Sequence, residues 1–339
     1  MKTKHLLLIN LFLIASCFIA ACSSSSSGTS PQTEEQELMD TSSVTQAPES
    51  TEVIPPTDVP EKIPCTIVFD SDRDGNLEIY VMDPDGGHLQ NLSNNPGDDW
   101  NAVWSPDGRQ IAFVSNREND QEGGQHIYVM NADGSDVRQL TGSMFTISNY
   151  PDWSHDGNSI VFSSEVNGNS DIFIMKADGS GEPLNLTNSD VRDVQPVWSP
   201  DDSRIAWLSG NNDNWDLFIM NADGSDVKNL TENGGVVNVA WTIDGQLFVN
   251  WENQEYGCFN CVMDADGSNI IDAGGKGEIQ RYIPFWTLEG DRVEIASADI
   301  NNGNDEIYLV SEIYPDIFLN LTNNPGHDRN PDWPSLCGQ

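Results

Sequence analysis

Six tryptophans, Trp104, Trp153, Trp198, Trp241, Trp286 and Trp333, recur along the chain at steps of 49, 45, 43, 45 and 47 residues. Turn residues follow them: Trp104-Ser105-Pro106-Asp107-Gly108, Trp153-Ser154-His155-Asp156-Gly157, Trp198-Ser199-Pro200-Asp201-Asp202, Trp241-Thr242-Ile243-Asp244-Gly245 and Trp286-Thr287-Leu288-Glu289-Gly290. One such unit of short apolar runs and tight turns cannot bury its own faces. A period in the forties therefore constrains the chain to a radial array of blades, a β-propeller.

The unit from Trp104 to Thr141 shows the scheme best. Apolar runs stand at Ile111-Ala112-Phe113-Val114, at Ile127-Tyr128-Val129-Met130 and from Val137 to Leu140. With Ala102-Val103-Trp104 they make four strands. In Pro106-Asp107-Gly108, proline supplies φ near −65° and glycine a positive φ, and Ala132-Asp133-Gly134-Ser135 supplies a second turn. The spacing predicts an all-β fold of four-stranded antiparallel meanders. The copies after Trp241 and Trp286 are worn: one ends in Ile270-Ile271-Asp272-Ala273-Gly274, the other replaces its turn with Ile313-Tyr314-Pro315-Asp316.

The array is out of phase with the repeat. Three strands, at Ile67-Val68-Phe69, Glu78 to Met82 and Leu89 to Leu92, precede the first tryptophan strand, and the chain closes on Trp333 alone. A closed ring of six blades then requires the last strand to complete the first blade. The same register puts Cys65 on the position of Arg109 and Cys337 on that of Gly108. These are sequence neighbours in an intact blade, so Cys65 and Cys337 are expected to pair at disulfide distance. Such a bridge would contribute about 4–5 kcal/mol through the long loop it closes. Cys258 and Cys261 form a C-x-x-C with no second pair beside it, read first as a local disulfide rather than zinc or redox chemistry.

The ends carry a different signature. Residues 1–22 have Lys2 and Lys4, an apolar stretch from Leu6 to Ala15 and small residues to close, the pattern of an export signal. Ile19-Ala20-Ala21-Cys22 resembles a lipobox, making Cys22 the expected lipidated residue, with Cys17 a competing site. Residues 23–62 are rich in Ser, Thr, Pro and Glu. They read as a tether that lacks the apolar surface to offset its ordering entropy and that reaches about 35–100 Å. Residues 63–339 are the propeller. The chain holds 54 acidic and 15 basic residues, a formal net charge of −39. Nucleic acid is thereby excluded as a partner and anionic lipid as a docking surface, leaving the lipid anchor as the membrane link. A well-hydrated acidic surface accounts for most of that charge.

Trp-Ser-Pro-Asp-Gly, then Ile-Ala-Phe with a serine two residues on, then Ile-Tyr-Val-Met-Asn-Ala-Asp-Gly-Ser and a closing Leu-Thr, resembles the repeat of TolB-type six-bladed propellers over residues 63–339. The resemblance implies that fold and a role in binding proteins or ligands. Where those proteins carry an α/β domain ahead of the propeller, this sequence has the signal and the tether. Related propellers gate prolyl-oligopeptidase-like hydrolases, but no G-x-S-x-G elbow is found here.

Two constellations are candidate sites. Asp70, Asp72, Asp74 and Glu78 alternate around Gly75 and resemble a calcium-wrapping loop, although a plain hairpin turn gives the same residues and Val81 occupies the last position of an EF-hand loop. Five residues before the tryptophans stand Asp99, Ser148, Asp193, Val236, Arg281 and Asp328. On a propeller these predict a partial acidic ring at one mouth of the channel, made by Asp99, Asp193 and Asp328, interrupted by Arg281 and flanked by His327. Turn capping between blades is the competing reading. His88, His126, His155 and His327 are too dispersed to assemble a three-histidine metal site. The sequons at Asn91, Asn185, Asn229 and Asn320 follow from the strand ending.

The sequence therefore reads as an exported bacterial lipoprotein, monomeric and anchored to the cell membrane or outer membrane. Its propeller is expected to be a non-enzymatic scaffold for an envelope protein or a small polar or cationic ligand. The alternative is a metal-dependent hydrolase or lyase working at the channel mouth.

Overall fold

The computed structural model describes residues 65–117, 124–142, 144–166, 168–211, 214–232, 234–251, 258–273, 286–288, 291–298, 303–311 and 318–334. The chain divides into two units, Met1–Asp58 and Val59–Gln339, and all described residues belong to the second. They form six four-stranded antiparallel sheets, a six-bladed β-propeller. The second blade shows the plan, with Asp99–Trp104 innermost, then Gln110–Ser115, His126–Asn131 and the two-residue outer strand Arg138–Gln139.

Closure follows the phase of the repeat. Asp328–Asp332 pairs antiparallel with Ile67–Ser71, with Val68 opposite Asp332 and Ser71 opposite Asp328, so both ends of the propeller share one blade. The second strand of each blade is buried on both faces because it is sandwiched between neighbouring blades, which explains its unbroken apolar run. Ile67, Phe69, Ile111, Phe113, Ile160, Phe162 and Ile205 have no exposed surface.

The turns after Trp104, Trp153, Trp198 and Trp241 hold by side chain as well as backbone. Ser105 Oγ donates to Asp107 Oδ1 at 2.7 Å and accepts from Gln110 N at 2.9 Å, and Gly108 sits at φ 65°. In the fourth blade Asp202 takes the glycine position at φ 55°. Its carboxylate accepts from His155 N at 2.7 Å and Asp156 N at 2.9 Å on the turn of the third blade. Blades are also latched further in, where Trp198 N donates to Asp152 Oδ2 and Trp104 N to Asp332 Oδ2, each at 2.7 Å.

Candidate functional site

The residues expected to form an acidic ring do not face the channel. Asp99 and Asp328 are fully buried and Asp193 nearly so, each held inside its own blade. Arg117 Nη2 donates to both oxygens of Asp99 at 3.0 Å, while its Nε bonds Ser115 Oγ at 2.9 Å and its guanidinium lies over the Phe113 and Tyr128 rings. Arg73 repeats this arrangement in the first blade, with Asp328 Oδ1 at 2.6 Å, Ser71 Oγ at 2.8 Å, and the Phe69 and Tyr80 rings. In the fourth blade Trp207 Nε1 donates to Asp193 Oδ1 at 3.1 Å. Burial pushes the Asp99 carboxyl up from its ordinary value, opposed by hydrogen bonding from Ser115 and by the charge of Arg117. These pairs anchor the inner strand to the second one. His327 lies beside Asp328 in sequence but is part-exposed, its Nδ1 3.1 Å from Asp305 Oδ2. Arg281 lies outside the described residues.

The calcium-like loop is likewise dispersed. Asp70 Oδ1 accepts from Asn101 N at 3.0 Å and Asn330 Nδ2 at 2.8 Å. Asp72 Oδ1 accepts from His327 N at 2.7 Å, and Asp74 Oδ2 accepts from the Tyr80 hydroxyl. Burial, reinforced by that bond to Asp74, raises the Tyr80 pKa well above its usual value. Glu78 Oε1 accepts from Asn95 N at 3.1 Å and Asn76 Nδ2 at 3.2 Å. Glu306 binds its own loop in the same way, through Asn324 N at 3.1 Å and Asn304 Nδ2 at 2.9 Å. Alternation along a strand and the repeat's own loop clamp separate the four side chains. Among the described residues no three His, Cys, Asp or Glu side chains converge as metal ligands.

Of the cysteines, Cys258 and Cys261 are disulfide-bonded with Cα atoms 5.8 Å apart. Cys65 is half-buried and forms no disulfide among the described residues. Cys337 and Cys22 lie outside them.

Among the described residues, those three positions before Trp104, Trp153, Trp198, Trp241 and Trp333 line the channel. Each inner strand of the first five blades carries an extra residue relative to its partner, a β-bulge. In four of them the bulge holds a non-glycine residue in left-handed conformation: Asn101 at φ 49°, Tyr150 at 53°, Gln195 at 53° and Asn330 at 50°. Such backbone costs about 1–2 kcal/mol per residue. It turns these side chains into the channel, where two adjoining cavities of about 260 and 320 Å³ share Asn149, Tyr150, Gln195 and Val237.

Five amides stand in the lining, Asn101, Asn149, Gln195, Asn238 and Asn330. Asn101 Nδ2 donates to Asn149 Oδ1 at 2.7 Å, and Asn238 Nδ2 to Asn250 Oδ1 at 3.3 Å. Gln195 is different: its Oε1 is buried and has no hydrogen-bond partner. An unmet buried polar atom costs about 1–3 kcal/mol, and turning the amide exchanges the enclosed atom with the other end of the group. The charges on the cavity walls cancel in number, Glu165 and Asp305 against Arg192 and Arg329. Arg329 Nε meets Asp305 Oδ2 at 2.5 Å. The cavity walls hold the residues three positions before Trp104, Trp153, Trp198, Trp241 and Trp333, whereas Asp99, Asp193 and Asp328, five positions before theirs, are buried.

The family model for the TolB beta propeller domain matches residues 54–149 and 142–279. Among curated proteins no sequence matches significantly. Among solved structures, TolB from Acinetobacter baumannii is similar with a TM-score of 0.62 at 18% identity, covering 82% of this chain and 68% of that one. A TolB described as putative, from Agrobacterium tumefaciens, gives 0.56 at 17% identity, over 80% and 99% of the two chains. An oligogalacturonate lyase from Vibrio parahaemolyticus gives 0.53 at 14% identity, over 76% and 74%. Likeness at these identities is one of fold.

Proposed function

Since this chain belongs to the TolB beta propeller family, we propose that it is an exported, lipid-anchored binding module whose propeller channel holds an envelope protein or a small polar ligand. The observation that carries the reading is the part-exposed Gln195 on the wall that two adjoining cavities share, set there by its left-handed backbone in a β-bulge. Concave sites with a few convergent polar groups are where small ligands bind. The export signal and Cys22 supply the anchor, and the Ser/Thr/Pro/Glu tether supplies the reach. Fold likeness extends to a lyase, so catalysis is a matter for the site, and no observation on the described residues favours a hydrolytic or eliminative one.

The test uses the full-length protein in its native envelope. Metabolic labelling with palmitate should mark the wild type and not Cys22→Ser. Chemical cross-linking should trap a ligand with the wild type and lose it with Gln195→Leu, at a melting temperature no lower than that of the wild type. Equal capture by both would remove the channel as the binding site.

A further inference from the structure

Resting on the reading that the channel binds a ligand, we infer that its ligand is an uncharged glycan, held by its hydroxyl groups against amides and by its ring faces against aromatic side chains. Four observations on the channel wall carry this.

Among the described residues the wall is electrically balanced, inside a molecule of net charge −39. Two carboxylates and two guanidiniums line the two cavities, and Asp305 is paired with Arg329. A channel built for a cation would concentrate carboxylates there, and the field of the whole chain opposes an anion.

The uncharged polar lining holds five amides, Asn101, Asn149, Gln195, Asn238 and Asn330, together with Ser163, Ser170 and Ser297. Asn101, Asn238 and Asn330 each donate Nδ2 to a protein oxygen, Asn149 Oδ1 being that of Asn101, and amides and hydroxyls, which both give and take, are complementary partners. Gln195 lines both cavities, and a hydroxyl pairs with either end of its amide, whichever way the group is turned.

Three part-exposed aromatics, Trp100, Tyr150 and Trp215, stand in the same walls. They give flat apolar faces beside polar groups, the surface onto which the C–H faces of a sugar ring pack. Arg192 lies over the Trp215 ring at 5.9 Å and fixes one of these faces.

The bulges argue against an added peptide strand. Strand addition needs a straight row of free N–H and C=O groups, and left-handed residues at Asn101, Tyr150, Gln195 and Asn330 interrupt that row in four inner strands.

The experiment is calorimetric titration of the full-length protein in detergent with uncharged cello-, malto-, xylo- and chito-oligosaccharides, with oligogalacturonate as the charged control. Cross-linked capture from native envelope runs in parallel. The inference expects one uncharged oligosaccharide to bind and the charged control not to. Gln195→Leu should weaken that binding at least tenfold, and Trp215→Leu should weaken it likewise, with the melting temperature of each variant confirming its fold. Binding of the charged glycan in preference, or none of the glycans while a captured protein depends on Gln195, overturns the glycan assignment and leaves the channel as a site. Loss of Gln195 dependence in both arms overturns the channel reading as well.

Discussion

Trp207 Nε1 donates to Asp193 Oδ1 at 3.1 Å, occupying with one indole the place that Phe113 and Arg117 share around Asp99 in the second blade. Where the repeat lacks the arginine, position 211 being Asn, the aromatic position supplies the donor instead. In the third blade Ser148 replaces the aspartate and meets Ser164 Oγ at 2.9 Å. The inner strand is thus tied to the second strand by three different pairs. The requirement is a matched buried polar pair, not a particular charge.

Arg117→Met should accordingly cost about 3–5 kcal/mol, because it leaves the Asp99 carboxylate buried without its cation. Trp207→Phe should cost about 1–3 kcal/mol, since Asp193 keeps Ser189 Oγ at 2.9 Å. The double variant Asp99→Asn with Arg117→Met should recover part of the first loss. Urea denaturation read by tryptophan fluorescence checks the order, and a smaller loss for Arg117→Met than for Trp207→Phe would contradict it.

The latch at Asp152 makes stability depend on pH. Its pKa is raised from 3.8 to about 6, first by burial and also by the charge of Asp202, against the Trp198 N–H and the charge of His155. A carboxyl with a higher pKa folded than unfolded binds more protons in the folded state between those two values. Its stabilising contribution is therefore complete below about pH 4, falls as pH rises towards 6, and is absent above. Asp152→Asn keeps an acceptor for Trp198 N and removes the titration. The wild type should lose roughly 2 kcal/mol relative to this variant between pH 4 and 7. Parallel denaturation midpoints across that range would refute the assignment.

Blade number, blade order and closure were legible because tryptophan, turn and apolar run recur at fixed spacing, and packing between blades demands that spacing. Site chemistry was less legible for a specific reason. Counting upstream from Trp198 treats the strand as regular, but the bulge inserts a residue between Val194 and Val197, so Gln195 faces the channel while Asp193 turns inward. The calcium-like loop misled through composition: Glu78 has the same loop-clamping role as Glu306, whose surroundings do not resemble a metal loop. A positive φ at a non-glycine residue leaves no mark in one sequence.

The register argument for Cys65 and Cys337 stands as a prediction in its own right. Ile67–Ser71 pairs with Asp328–Asp332 as the phase of the repeat requires. Non-reducing peptide mapping of the exported protein should recover the peptides of Cys65 and Cys337 linked. Cys65→Ser should then lower stability by about 4–5 kcal/mol on the loop-entropy account. Recovery of both residues as thiols would refute the pairing.

The strained backbone at Gln195 separates stability from binding. At φ 53° a side chain with a Cβ costs about 1–2 kcal/mol, and glycine removes that cost while adding about 0.5–1 kcal/mol of unfolded-chain entropy. Gln195→Gly also removes the buried unmet oxygen. Its folded state should be more stable than the wild type by roughly 1 kcal/mol, read as a rise in the urea midpoint, while ligand capture in the channel falls. Tyr150→Gly shares the backbone relief at φ 53° but deletes an aromatic face, so its stability gain should be smaller. If Gln195→Gly loses both stability and capture, the left-handed conformation is supported by packing that the glutamine itself provides, and the bulge is a structural element of the blade rather than strain held for binding.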